Sequence, residues 1–221
     1  SLFALDTRQY RDHQACARPG RGGSAVVGPE CEERAREDRT LLGRAQERWL
    51  AEALVASKAR WNLLVQQTLF VPAGRPTERG MQYWTDGWDG YPAARERLLA
   101  ALAKSGAANP VVLGGDVHTN YVADVHARPG DPGSPVVAAE FCGTSITSQG
   151  GGRKLVQSIR EANPHIRYAD GSRRGYAMLD IGRERLEARL RVLDTVARRD
   201  AEVSTAARFT VLAGRPGIAK D

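Results

Sequence analysis

The chain has 221 residues, 42% of them hydrophobic, and a formal charge of +6, so it can bury a real core and is sized for one domain or part of a larger one. It carries no apolar run long enough to cross a bilayer and no charged-then-apolar leader. Its basic residues are mostly arginine and scattered, which suits a solvated surface and a field that draws in anionic substrates such as phosphate esters; without a basic aromatic stripe or zinc-finger spacing, no nucleic-acid partner is expected.

In chain order, Ser1-Leu2-Phe3-Ala4-Leu5 reads as a strand with no initiator methionine before it, so the chain is expected to be a piece of something longer. "DTRQYRD" and a long Gly- and Pro-rich loop follow. Residues 39–58, "RTLLGRAQERWLAEALVASK", place Leu42, Trp49, Leu50, Ala53 and Leu54 close to one helical face, with Thr40 available as a cap. "WNLLVQQTLFV" (61–71) reads as a strand, and a polar loop runs through "ERGMQYWTDGWDG". A second helix starts at Pro92, buries Leu98, Leu99 and Leu102, and stops at Gly106. The strand Val111–Leu113 comes next, then strands at 121–127, 135–141, 175–181, 185–195 and 207–213, with a modest helix around 154–163. Helix and strand alternate in the front half and strands dominate the back half. Such a pattern packs as layers, sheet inside and helices outside.

Cys16 and Cys31 flank the stretch "ARPGRGGSAVVGPE", where a cross-link would restrict the unfolded chain most. A Cys16–Cys31 disulfide is expected, and with it an oxidising, extracytoplasmic compartment, secreted or periplasmic. Cys142, beside Phe141, is expected in the core.

The stretch "VVLGGDVHTN" (111–120) ends an apolar strand in two glycines, an aspartate and a histidine. Catalytic groups of α/β folds gather where strands end. Gly114 and Gly115 remove bulk, so a ligand or a neighbouring backbone can come close. Asp116 and His118, two apart, would project to one face of an extended segment and offer an oxygen and a nitrogen donor to a metal. The competing reading makes Asp116 a turn cap and His118 a surface or core histidine.

"GGDVHTNYVAD" resembles the strand-end motif of metallophosphoesterases. "LDTRQYRD", "LLGRAQERWL", "DGWDGYPAARERLL", "EFCGTSITSQG" and "STAARFTVLAGRPG", in this order, are similar more specifically to PhoD-type alkaline phosphatases. The resemblance covers nearly the whole chain. It implies the layered α/β/β/α sandwich of that superfamily, with residues 1–221 as the C-terminal portion of a single domain. The family's N-terminal half, with its metal-binding aspartate, tyrosine and cysteine and an Asp-Asp-His-Glu segment, is not in this sequence. The resemblance further implies metal-dependent hydrolysis of phosphate mono- or diesters, Asp116 and His118 as metal ligands, and Ca2+ and Fe3+ as the ions. Oxygen donors suit calcium on general grounds. The superfamily more often has histidine where Asp116 stands. The isolated chain is expected to be inactive and monomeric; the rival reading is an inactive fragment or an extracellular binding module.

Other residues carry weaker signals. Arg8 either holds a phosphate oxygen through its guanidinium fork or pairs with Asp6. Asn120 orients water or phosphate, or stabilises a turn. Asp86, Trp88, Asp89 and Tyr91 crowd one loop that either shapes substrate fit or staples the second helix to the core. Gln66 and Gln67 face the site or pair with backbone. Thr144, Ser145 and Thr147 offer hydroxyls, but no histidine and acid stand at serine-hydrolase spacing. Glu140 is expected to support the site from behind, and His126 and His165 to lie on the surface.

Overall fold

A computed structural model describes residues 1–18, 20 and 23–219. The strands are β1 (Leu2–Ala4), β2 (Val26–Val27), β3 (Asn62–Val65), β4 (Arg75–Thr77), β5 (Gly80–Trp84), β6 (Pro110–Gly114), β7 (Asn120–His126), β8 (Val136–Cys142), β9 (Ile166–Asp170), β10 (Gly175–Ile181), β11 (Arg185–Leu193) and β12 (Val203–Leu212). The helices are α1 (Arg44–Ala56), α2 (Pro92–Ser105) and α3 (Arg153–Ala162). Among the described residues no helix is long and apolar enough to cross a membrane.

Six strands form the central sheet, in the order β1-β3-β6-β8-β7-β9. The first four run parallel, and β7 runs antiparallel to both β8 and β9. Side chains alternate across β8: Ala138 and Cys142 join Leu50, Leu54, Leu98, Leu99 and Leu102 in a core under the helices. Ala139 and Phe141 point the other way, onto Leu186, Ala188, Leu190 and Val211 of the β10-β11-β12 meander. The two faces of one sheet therefore bury two separate cores, the layered packing expected of strands that are apolar on both sides.

Local signals set α2 well. Pro92 occupies its first turn and Gly106, at φ 68°, ends it in the left-handed conformation. At α1 the expectation shifts by a few residues. The helix begins at Arg44, and Thr40 acts one turn earlier, accepting the Gly43 N–H at 2.9 Å and donating to Glu47 at 2.5 Å. Leu50 and Leu54 are buried, whereas Trp49 stays 48% exposed, outside the expected face, with its ring edge-on to Phe3.

Three segments differ from the sequence reading for physical reasons. The strand expected over 61–71 stops at Val65. Beyond it Gln66 bonds both the N–H and the carbonyl of Thr68, and the Phe70 and Val71 N–H groups donate to the Glu140 carboxylate at 2.7 and 2.8 Å. Side chains thus satisfy a backbone that a ladder would otherwise pair. The loop expected through 78–90 contains β5, which pairs with β2 and β4, and ends in a 3-10 turn at Trp88–Gly90. Strand β9, not anticipated, adds an edge to β7.

Cys16 and Cys31 are joined, Cα to Cα 6.1 Å, beside a small cluster of Ala15 and Val27. Residues 19, 21 and 22 of the loop they close lie outside the described residues. Cys142 is buried and free, and burial pushes its thiol up, as a core residue rather than a nucleophile requires.

Candidate active site at the strand ends

The parallel registers bring the C-terminal ends of β1, β3, β6 and β8 to one edge, since Ala4 lies opposite Val65, Val65 opposite Leu113 and Gly114 opposite Cys142. Strand β7 starts at the same edge with Asn120, opposite the last residue of β9, Asp170. Arg8, Asp116, His118, Asn120 and Thr144 all lie at or just beyond this edge.

The chain leaves β6 through a tight passage. A Cβ on Gly114 would stand 2.2 Å from the Thr68 carbonyl oxygen, so the neighbouring backbone, not a ligand, fills the space that glycine clears. Asp116 and His118 then take positive φ, 66° and 53°. The segment between Gly114 and Asn120 is bent, which corrects the extended geometry assumed for these two residues. Left-handed backbone costs a non-glycine residue about 1–3 kcal/mol, and such strain concentrates at functional sites.

Asp116 presents its carboxylate at the surface, where Oδ2 accepts from Arg8 Nη2 at 2.6 Å. Arg8 Nη1 donates to Asp86 Oδ1 at 2.8 Å, and Asp86 also receives Arg11 and Gln14 at 2.6 Å each. The Arg8 side chain does not pair with Asp6, whose carboxylate instead accepts the backbone N–H groups of Arg8 and Gln9. Those two N–H groups hold the Asp6 carboxyl below the usual range. Two arginines and two aspartates thus balance at the sheet edge, and the arginine fork that reaches Asp116 is one third exposed.

His118 Nδ1 lies 2.9 Å from the Gln149 carbonyl oxygen. A carbonyl only accepts, so Nδ1 carries a proton and Nε2 is the nitrogen left for a further partner. A histidine whose second nitrogen is tied to a backbone carbonyl is the arrangement of metal-binding imidazoles. Asn120 is buried; its Oδ1 accepts the Thr144 N–H at 3.1 Å, while its Nδ2 is buried without a partner among the described residues. Among the described residues no group of three or more His, Cys, Asp or Glu side chains converges on one point. Asp116 offers an exposed carboxylate and His118 an imidazole held through Nδ1.

The neighbouring residues take supporting roles. Gln67 accepts the Thr7 N–H and hydroxyl and donates to Leu5 O, tying the end of β1 to that of β3. Trp88 and Tyr91 are fully buried, and the Tyr91 hydroxyl donates to Asp12 O, so they staple the start of α2. Asp89 is held by Arg95 at 2.7 Å. The Ser145 hydroxyl donates to Ser148 O and accepts from Arg174, and that of Thr144 donates to Arg173 O. Glu140 is buried inside the sheet under the helices, where burial pushes its carboxyl up to about 7 against the pull of the Phe70 and Val71 N–H groups. It braces the 70–71 segment rather than the strand-end donors. His126 and His165 are half-buried. Their rings bond the carbonyls of Ser134 and Pro72 and line a cavity of about 230 Å3 on the helix side. The part played by Asp86 escaped the sequence reading, because its partners lie more than seventy residues away.

Two arginines, two aspartates and a directed imidazole thus share one sheet edge. The model of the PhoD-like phosphatase family matches residues 1–190, and the chain belongs to that family. It is 38% identical over 223 residues to alkaline phosphatase D of Bacillus subtilis (strain 168), an alignment covering 100% of this chain and 37% of that protein. A solved structure of PhoD superimposes with a TM-score of 0.88 at 36% identity, over 99% of this chain and 41% of that one. The chain thus spans about two fifths of the length of the relatives it matches.

Proposed function

We propose that this chain serves metal-dependent hydrolysis of phosphate mono- or diesters, with Asp116 and His118 as its metal ligands and Arg8 and Asn120 as substrate-facing donors. The observation that carries the reading is the strand-end pair itself: a surface carboxylate whose counter-charge is an exchangeable arginine, next to an imidazole whose Nε2 is left for a further partner. The family and the harder oxygen donor favour Ca2+ and Fe3+. A bound cation would supply Lewis-acid charge for phosphoryl transfer to water.

The chain's own residues account for the rest. If Asp116 held a cation, Arg8 Nη1 would remain on Asp86 and Nη2 would be open for a phosphoryl oxygen. Asn120 Nδ2, buried and unpaired among the described residues, is a neutral donor at the same edge. Preorganised donors of this kind stabilise charge in the transition state with little reorganisation. No nucleophilic side chain is needed, and Ser145 and Cys142 are engaged elsewhere.

We place residues 1–221 as the C-terminal portion of one PhoD-like domain with the α/β/β/α sandwich of the metallophosphoesterases, acting outside the cytoplasm and as a monomer. The disulfide supports the extracytoplasmic location, and the 37% share of the relative's length supports a partial domain. Two metal donors are too few for a closed site, so the 221-residue chain alone is expected to turn over no ester. Elemental analysis of the full-length protein is the direct test: metal lost on His118→Ala supports the reading, and unchanged metal overturns it in favour of a structural Asp-x-His pair.

A further inference from the structure

The cavity of about 230 Å3 on the helix side stands apart from the strand-end donors, none of which lines it. Strand β7 spans the distance between the two places: it starts with Asn120 at the sheet edge and ends with His126 in the cavity wall, a run of about 20 Å. Phe70, Val71 and Leu99 give the cavity apolar walls, and Arg95, His126, Asn163 and His165 add polar groups. Each of the four has one polar atom left over. Arg95 is 4% exposed; its Nη1 donates to Asp89 Oδ1 and Phe70 O and its Nε is sealed, whereas Nη2 has no partner among the described residues and keeps accessible surface. Asn163 is 7% exposed; its Nδ2 donates to Gly74 O and Ile159 O, which leaves Oδ1 open in the same way. His165 donates from Nε2 to Pro72 O, and burial makes it less basic than an exposed histidine, so its neutral ring presents Nδ1 as an acceptor. His126 donates from Nδ1 to Ser134 O and leaves Nε2.

We infer that this cavity is a second binding site, separate from the strand-end edge, for a small apolar molecule that carries a primary carboxamide. Apolar walls with a few convergent polar groups are the usual make-up of a small-molecule site, and here the polar set decides the chemistry. Arg95 Nη2 calls for an acceptor, while Asn163 Oδ1 and His165 Nδ1 call for donors. A primary carboxamide supplies one carbonyl and two N–H groups in a single plane. A carboxylate would answer Arg95 but set its charge against the two acceptors, and an ammonium group would answer the acceptors but meet the guanidinium. Charge alone favours neither ion, because Arg95 is already paired with Asp89 at 2.7 Å. The two carboxylates of the lining are also engaged, Asp131 by Arg128 at 2.7 Å and Asp124 by the Ile218 N–H at 2.7 Å. The site is independent of the phosphate-ester reading.

The test titrates the full-length protein at neutral pH with benzamide, benzoate and benzylamine, three ligands of similar shape, and reads the heat of binding. Benzamide is expected to bind about tenfold more tightly than either of the others, since each rival leaves a buried polar group unmatched. His165→Phe, which keeps a ring in place and deletes the acceptor, should weaken benzamide about fivefold, the worth of one hydrogen bond, and leave benzoate nearly unchanged. Inorganic phosphate added in excess should leave the benzamide affinity as it was. No binding of benzamide, equal binding of benzoate or benzylamine, a benzamide affinity untouched in folded His165→Phe, or displacement of benzamide by phosphate would each overturn the site. Should His165→Phe fail to fold, the ranking of the three ligands on the wild-type protein decides by itself.

Discussion

Asp116 and Glu140 are carboxylates of one sheet region: Glu140 lies within β8, directly opposite Val112 of β6, and Asp116 lies in the bend two residues after β6 ends. They live in different physical regimes. Glu140 is fully buried, carries no salt bridge, and holds two backbone N–H groups of a segment that has left the ladder. Asp116 is more than a third exposed, sits on strained backbone, and faces an arginine that has a second anchor. The first carboxyl is locked into the architecture and the second can exchange its partner. Within a parallel sheet, the interior fixes polar groups because nothing else can solvate them, while the strand ends leave them accessible to a cation or an anion.

The largest effect that would sharpen this contrast is catalytic. Asp116→Ala in the full-length enzyme is expected to lower kcat/KM about a thousandfold or more, as removal of a central electrostatic group does, with the denaturant midpoint essentially unchanged. A large loss of stability with proportionate activity would make Asp116 a structural residue like Glu140. Next comes Glu140→Ala, which strands two buried N–H groups and should cost about 4 kcal/mol of stability, while the surviving folded molecules keep their activity per mole. A mild effect on stability there, below about 1 kcal/mol, would mean that water replaces the carboxylate and that the interior is less exclusive than it looks.

The same distinction explains what the residues disclose in sequence and what they conceal. Helix α2 is legible because Pro92 and Gly106 act on their own backbone, and β8 because Val136-Val137-Ala138-Ala139 buries both faces. The Cys16–Cys31 link is legible because loop composition alone argues for it. Strand β3 is over-read: Leu69-Phe70-Val71 looks like its continuation, but the acid that draws those N–H groups away lies seventy residues further on. Strand β9 is missed because it is an edge with a single fully buried residue, Ile166, set by pairing to β7 rather than by its own pattern. At the site, the donor types at 116 and 118 are legible but their geometry is not. Their positive φ values belong to a bend that no local pattern announces, and the Arg8–Asp86–Asp116 cluster is closed by segments distant in sequence.

A pH series tests the interior half of the comparison with a smaller effect. The Glu140 carboxyl ionises near 4.5 when exposed and near 7 in the fold, because burial outweighs its two N–H partners. Between those values the unfolded chain has released its proton while the folded chain retains it, so this group's contribution is full below the lower value and is lost as pH rises through the upper one. The loss is about 3 kcal/mol at roughly 1.4 kcal/mol per pH unit. His165, which burial holds below 6.5, acts in the opposite sense at the acid end. The readout is therefore the difference between the wild type and Glu140→Gln in urea titrations from pH 5 to 8. A difference that stays flat with pH would show that Glu140 remains charged throughout.

The smallest effect belongs to the exchangeable pair. Arg8→Gln removes one guanidinium from two aspartates, yet Asp86 keeps Arg11 and Gln14, and Asp116 is exposed enough to be hydrated. Half-exposed ion pairs contribute little, so the stability change should stay within about 1 kcal/mol and shrink further in high salt. On the proposed function the activity loss should exceed it, because the fork would serve an arriving phosphate rather than folding. A cost of several kcal/mol, insensitive to salt, would mean that Arg8 is as firmly built in as Glu140. The edge of the sheet would then hold its charges for folding and leave none free to meet a substrate.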